Sequence, residues 1–275
     1  MKHASNVSRH SVGAKSKAPS GQNPTRPVAQ TATGTAKTLY VTLAPEAEVA
    51  VLCRMLHYEG YNDHNWGHIT YVQDDETILL TPWEIPWDEI HASDILRIDR
   101  EGKLLEGQWS VTPAVALHLE VHRARDDVSV VVHHHPEWAS VWAAVGEVPP
   151  PYNQGASGIK GEIAFFDEYE ADVTFQDVAE QNVAAMGDSV AGLLANHGVL
   201  VFGDSIRRAH ERCAALEMRC RLAWRVQALG EHRGRPMSPA GVEHVVAAKE
   251  GDKFGDRYYH AMVRREILRD PAVLT

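Results

Sequence analysis

The stretch Val130-Val131-Val132-His133-His134-His135-Pro136-Glu137-Trp138 runs three β-branched residues into three imidazoles, a proline and an indole. β-Branched side chains suit a pleated, half-buried surface, so DDVSVVVHHH (126–135) reads as a core strand. Pro136 has no N–H to continue a ladder but fits a first helical turn, so PEWASVWAAVG (136–146) reads as a short helix. A strand that ends in polar side chains and passes into a helix opens a crevice at the sheet edge, a common place for a site. Alternate side chains on a strand share a face, so His133 and His135 point together while His134 points away. His134 is therefore read as a packing residue or an outer hydrogen-bond partner rather than a ligand.

Two imidazoles do not complete a metal site. In AGLLANHGVLVFG (191–203), Asn196, His197 and Gly198 separate two apolar segments; His197 interrupts a buried pattern, and Gly198 permits a tight backbone. Where these strands meet, His133, His135 and His197 would form a facial set of three nitrogens. Such a set leaves positions open for water, O2 or substrate and suits Fe(II), Zn(II), Mn(II) or Co(II); ligand type alone does not choose among them. The competing reading is a structural or substrate-binding histidine cluster.

The rest of the chain supplies a mixed α/β frame. LAPEAEVAVLCRMLHYEGY (43–61) has apolar residues at helical spacing with Pro45 near its start. ITYVQ (69–73) and ETILLTPW (76–83) read as strands joined by a turn at Asp74 and Asp75, and REGKLLEG (100–107) holds a second turn. TPAVALHLEVHRAR (112–125) reads as a helix capped by Thr112 with Pro113 in its first turn. Further helices are predicted over 172–187, over the long amphipathic 205–230, and in two terminal segments, 238–251 and 256–271. No repeat or interdomain linker interrupts this, so residues 39–275 are expected to form one domain. Residues 1–38, rich in Ser, Ala, Thr, Gly, Pro and basic side chains, are expected to be a mobile tail.

Composition excludes several classes. With 37 acidic against 27 basic side chains and a formal net charge of -10, the 275-residue chain suggests no phosphate-binding surface, so nucleic acid is not an expected partner. No apolar run is long enough to span a bilayer and no signal-peptide core is present, so no membrane association is expected. Cys53, Cys213 and Cys220 are too few and wrongly spaced for a disulfide framework or zinc knuckle, which fits a reducing, cytoplasmic location.

VVHHHPEWASVWAA (131–144), followed by LLANHGVLVFGDSIRRAHERCAALE (193–217), resembles the class II aldolase/adducin family, whose signatures are a His-any-His segment and a downstream Asn-His-Gly. NWGHITYV (65–72), LLTPW (79–83), HASDILRIDREGKLLEG (91–107) and RYYHAMVRREILRD (257–270) extend the resemblance from about Leu39 to Asp270. It implies a three-layer αβα fold around a mainly antiparallel sheet, a homotetramer with sites near subunit boundaries, and metal ligation by His133, His135 and His197.

Two departures bear on activity. Family aldolases carry a catalytic glutamate four residues before a helix histidine; here Ala114 stands at that distance before His118. A methyl group can neither exchange a proton nor ligate a metal, so ordinary retro-aldol chemistry is not expected. His68 follows Gly67 where sugar-phosphate aldolases of the family carry asparagine, and DHNWGH (63–68) with TPWEIPW (81–87) offers aromatic and imidazole surface suited to a planar or prenylated substrate. Asn65, Trp66, Gly67 and His68 are the candidate substrate contacts; for Trp66, Trp83 and Trp87, core packing is the commoner use of such area.

Three histidines without that glutamate resemble a narrower branch, the bifunctional non-haem iron oxygenases of aminocoumarin antibiotic pathways. The resemblance implies oxidative decarboxylation of an aromatic 2-oxo acid such as prenylated 4-hydroxyphenylpyruvate, then of the derived mandelate, giving a prenylated 4-hydroxybenzoate, with Fe(II) as cofactor and O2 as co-substrate. His118 and Glu120 on the helix, and Glu162 and Tyr169 in KGEIAFFDEYE (160–170), are candidates to orient water, substrate or imidazole. Core packing for His118, and solvation for the others, are the bland alternatives. A metal-dependent lyase or non-oxidative decarboxylase using Zn(II), Mn(II) or Co(II) competes as an enzyme class, and a noncatalytic adducin-like binding module as a third.

Overall fold

The computed structural model describes residues 40–157, 159, 162–166, 183–230, 234–250 and 253–275. The tail expected over residues 1–38 and most of the helix expected over 172–187 lie outside these, although 183–186 are helical as expected. Among the described residues eight strands form one sheet: β1 (His68–Val72), β2 (Ile78–Leu80), β3 (Leu96–Ile98), β4 (Leu104–Glu106), β5 (Val130–His134), β6 (Ile163–Phe166), β7 (Ala191–Leu194) and β8 (Val199–Gly203). Their order is β4-β3-β2-β1-β5-β8-β7-β6, and every neighbouring pair is antiparallel except β6 with β7. The histidine strand β5 lies inside the sheet between β1 and β8, all five of its residues buried.

Besides the helical 183–186, the helices among the described residues are α1 (Pro45–His57), α2 (Val115–Ala124), α3 (Glu137–Val145), α4 (Ile206–Gln227), α5 (Pro239–Glu250) and α6 (Lys253–Arg269). Side-chain alternation divides the core in two. Val130 and Val132 join Leu52, Leu56, Trp142, Leu216 and Val263 in the layer under α1, α3, α4 and α6. Val131 faces the other way, packing with Leu117 and Val121 of α2 beside Leu200 and Phe202. This is the expected three-layer αβα arrangement. Parity along β5 therefore sends His134 toward the α3 and α4 layer and His133 toward α2.

Local chemistry sets the helix ends. Pro45 opens α1, with Glu46 and Glu48 in the first turn where the helix dipole favours negative charge. α2 begins later than its sequence suggests: Ala114 is its N-cap, and the Thr112 hydroxyl accepts the Ala114 N–H at 3.4 Å ahead of the helix. α3 has no side-chain cap of its own. The buried Glu217 carboxylate of α4 accepts the Trp138 and Ala139 N–H groups, each at 3.0 Å, and so holds the helix that leaves His135. Burial, opposed by those two bonds, pushes the Glu217 carboxyl up to about 7.

Candidate metal centre

The β7–β8 connection is a short hairpin in which Asn196 adopts a left-handed conformation at φ 54°, one that asparagine tolerates better than most residues. Gly198 follows, and its lack of a side chain is required: a Cβ there would meet the His134 carbonyl oxygen and His135 Cδ2, each at 2.5 Å. The hairpin thus presses against the end of β5. One nitrogen from each of His133, His135 and His197 lies within 4.8 Å of the others, with ring centroids 4.8 to 5.1 Å apart.

Hydrogen bonds orient two of these rings. His133 Nδ1 lies 3.0 Å from the Val199 carbonyl oxygen, an acceptor only, so this nitrogen is the donor and Nε2 of the neutral ring keeps its lone pair. His135 Nδ1 donates in the same way to Asp63 Oδ2 at 3.0 Å, and its buried Nε2 meets no hydrogen-bond partner among the described residues. An imidazole anchored through one nitrogen, with the other bare in a cluster, is the arrangement metal-ligating histidines take. Burial, then neighbouring histidines, hold the His133 ring well below its ordinary pKa, and burial then His135 bring His197 down to about 4. His133 and His197 are thus held as the neutral imidazole that a divalent transition metal binds, and the bare Nε2 of His135 completes the donor set.

Asp63 went unnoticed in the sequence. Its carboxylate bridges His64 Nδ1 at 2.9 Å and His135 Nδ1 at 3.0 Å. Burial alone would raise its pKa; the two histidine hydrogen bonds together outweigh that and hold it below the usual carboxylate range.

His134 lies on the opposite face, as its alternation predicts. Its Nδ1 accepts the His135 N–H at 2.8 Å, and its ring meets Trp87 edge-on at 4.4 Å. Gly67 serves that packing, since a Cβ at this position would fall 1.9 Å from His134 Cδ2 and 2.7 Å from Trp87. Trp87 is buried whereas Trp66 and Trp83 are 55% and 40% exposed, so only the first is a core indole.

The remaining candidates divide. His68 pairs across the ladder with His133, their rings 4.8 Å apart, and its Nδ1 lies 2.8 Å from Nε2 of the fully buried His118. Burial first, then nearby histidines, depress both rings well below the ordinary imidazole value. Asn65 donates to the Trp83 carbonyl at 3.0 Å in the loop before β1. Glu120 is not brought to the cluster: it pairs with Arg123 on the flank of α2 away from His118, as a two-residue offset on a helix requires. Glu162 is exposed at the start of β6, whereas the histidines gather at the end where the parallel neighbour β7 finishes, so strand direction carries Glu162 away from them. Tyr169 lies outside the described residues. None of the three histidines lines the cleft of about 440 Å³ that Tyr58, Glu59, Trp138 and Arg221 help to form.

A central strand and a neighbouring hairpin thus gather three imidazoles at one end of a mainly antiparallel sheet flanked by helices. The chain belongs to the family described as Class II Aldolase and Adducin N-terminal domain, whose model matches residues 47–224. It is 28% identical over 233 residues to the Decarboxylase NovR of Streptomyces niveus, covering 82% of this chain and 85% of that one. It is 26% identical over 228 residues to the 4-hydroxy-3-prenylphenylpyruvate oxygenase/4-hydroxy-3-prenylbenzoate synthase of Streptomyces roseochromogenus subsp. oscitans, with 81% of each chain covered. Among solved structures, an aldolase II superfamily protein from Pseudomonas syringae superposes with a TM-score of 0.76 at 22% identity, over 85% of this chain and 98% of that one. No helix among the described residues is long and apolar enough to cross a membrane.

Proposed function

We propose that this chain is a non-haem Fe(II)-dependent oxygenase that oxidatively decarboxylates an aromatic 2-oxo acid and the derived mandelate, as in the conversion of a prenylated 4-hydroxyphenylpyruvate to a prenylated 4-hydroxybenzoate. The observation that carries this reading is the imidazole trio His133, His135 and His197 combined with a methyl group at Ala114. Two relatives whose names include a decarboxylase and a prenylphenylpyruvate oxygenase support it.

In this reading His133, His135 and His197 hold the metal, with Asp63 and the Val199 carbonyl fixing two of the rings. Bound Fe(II) would supply the electron transfer that couples O2 reduction to loss of the carboxylate as CO2. His68, steadied by His118, faces the substrate beside His133, and Asn65 and Trp66 border its approach from the loop before β1. The assembly is a homotetramer, each subunit built on one domain over 39–275.

Family membership favours one second reading, a metal-dependent lyase working with Zn(II), Mn(II) or Co(II). Anaerobic reconstitution with Fe(II), followed by O2 uptake and product mass on adding prenylated 4-hydroxyphenylpyruvate, separates the two. Oxygen-dependent loss of CO2 with mandelate or benzoate formation is the expected result. Metal-dependent cleavage under argon without O2 uptake would replace the oxygenase by the lyase.

A further inference from the structure

The α2 face of the sheet carries a chain of hydrogen bonds whose direction is fixed from one end. His122 Nδ1 lies 3.2 Å from the Val128 carbonyl oxygen, which can only accept, so Nδ1 carries the proton. His122 Nε2 is then the bare nitrogen and accepts from the Thr70 hydroxyl at 2.8 Å. Thr70 has one proton to give; having given it, its oxygen accepts from His118 Nδ1 at 2.9 Å. His118 Nε2 is bare in turn and accepts from His68 Nδ1 at 2.8 Å. His68 is left with the lone pair on Nε2. His68, Thr70, His118 and His122 are all buried, the second and third completely, where an unpaired imidazolium is costly and the neutral forms prevail.

The chain ends at the candidate metal centre, because His68 pairs with His133 in the β1–β5 ladder and the two rings lie tilted against each other at 4.8 Å. Parity explains the layout: His68 and Thr70 alternate on one face of β1, and His118 and His122, one turn apart, share the facing side of α2. We propose that Thr70 and His122 are positioning residues that hold His68 as its Nδ1–H tautomer, so that His68 Nε2 accepts a hydrogen bond from the hydroxyl of a 2-hydroxy acid bound beside His133. A 2-oxo acid has no hydroxyl to give at that carbon, so the contact separates the two substrate states of one site. The choice of a 2-hydroxy acid rests on the functional reading above; the direction of the chain does not.

Magic-angle-spinning 15N spectra of metal-free protein labelled in its histidine rings test the tautomer. His68 and His118 signals are assigned by their loss in His68→Asn and His118→Asn, and both are expected in the Nδ1–H form. Thr70→Val removes the hydroxyl at nearly constant shape and should release that preference, while Thr70→Ser should restore it. Calorimetry on the Zn(II)-loaded protein then compares mandelate with phenylglyoxylate. Thr70→Val should weaken mandelate by about tenfold and phenylglyoxylate by less than about twofold, the loss of one hydrogen bond. Wild-type His68 carrying its proton on Nε2 overturns the proposal even where Thr70→Val fails to fold. Equal loss of both acids overturns the acceptor role. Failure of wild-type protein to bind either acid sinks the 2-hydroxy acid reading while the spectra still decide the direction of the chain.

Discussion

The Asp63 carboxylate lies 3.0 Å from His135 Nδ1, so an acidic loop residue fixes an imidazole 72 positions away. That bond selects the tautomer whose Nε2 faces His133 and His197, and it fixes the orientation of the ring. Asp63→Ala should reduce metal affinity by roughly 10- to 100-fold, the usual cost of losing such an orienting partner. Competition against a chelator at fixed pH measures this. An unchanged affinity would mean that His135 does not ligate through Nε2.

Gly198 separates metal binding from global stability. Its missing Cβ is the gap into which the His134 carbonyl and His135 ring fit, and a backbone oxygen cannot rotate aside as a side chain can. Gly198→Ala should push the hairpin and His197 away from β5, lowering metal affinity more than it lowers the thermal midpoint. Gly67→Ala presses instead on the His134 ring and Trp87. It should cost about 1–3 kcal/mol of stability as overpacking, with a smaller effect on metal affinity. Urea denaturation beside metal titration separates the two; identical profiles for both variants would contradict this division.

The histidine strand, its alternation and the glycine-backed hairpin were legible because each is a short-range signal. Period two assigns faces to His133, His134 and His135, and Asn-His-Gly marks a turn that interrupts an apolar run. Asp63, Thr70 and His122 were not legible, since their roles depend on β1 lying beside β5 and on α2 covering that face, neither of which local periodicity encodes. Thr70 in particular reads as an ordinary strand residue. Glu120 and Glu162 stand away from the imidazoles of the same chain for the converse reason: sequence proximity to a motif says nothing about which flank of a helix or which end of a strand a side chain occupies.

The metal-free protein should lose stability on mild acidification. His122 and His197 are brought to about 4 and His134 to about 3, each by burial first. An unfolded histidine titrates near 6.5, so between roughly pH 6.5 and 4 the unfolded chain binds more protons at these positions. Their contribution is present above that window and is lost as pH falls through it. Glu217, raised to about 7, acts in the opposite sense, favouring the fold at the acid side of its own window. The histidines outnumber it, so the urea midpoint should fall from pH 6.5 toward 4, and His122→Asn should flatten the slope. A midpoint that holds or rises across that range would show these rings to be charged in the native state.

Ala114 and His118 lie one helical turn apart at the start of α2, on the side that meets β1. A carboxylate at position 114 would therefore stand near the His68–His118 pair and introduce a proton acceptor where the chain has a methyl group. It would also add a negative charge beside neutral imidazoles, favouring their protonated forms and disturbing the hydrogen-bond order that leaves His68 Nε2 bare. Ala114→Glu should thus lower O2 uptake by about tenfold or more, a barrier change of about 1.4 kcal/mol or more. It should also create metal-dependent exchange of a substrate C–H proton with solvent, read by mass after incubation in D2O under argon. Exchange gained as O2 uptake falls ties the absent carboxylate to the choice between lyase and oxygenase chemistry. A variant unchanged in both would detach Ala114 from that choice and leave the oxygenase reading on the imidazole trio and the two relatives alone.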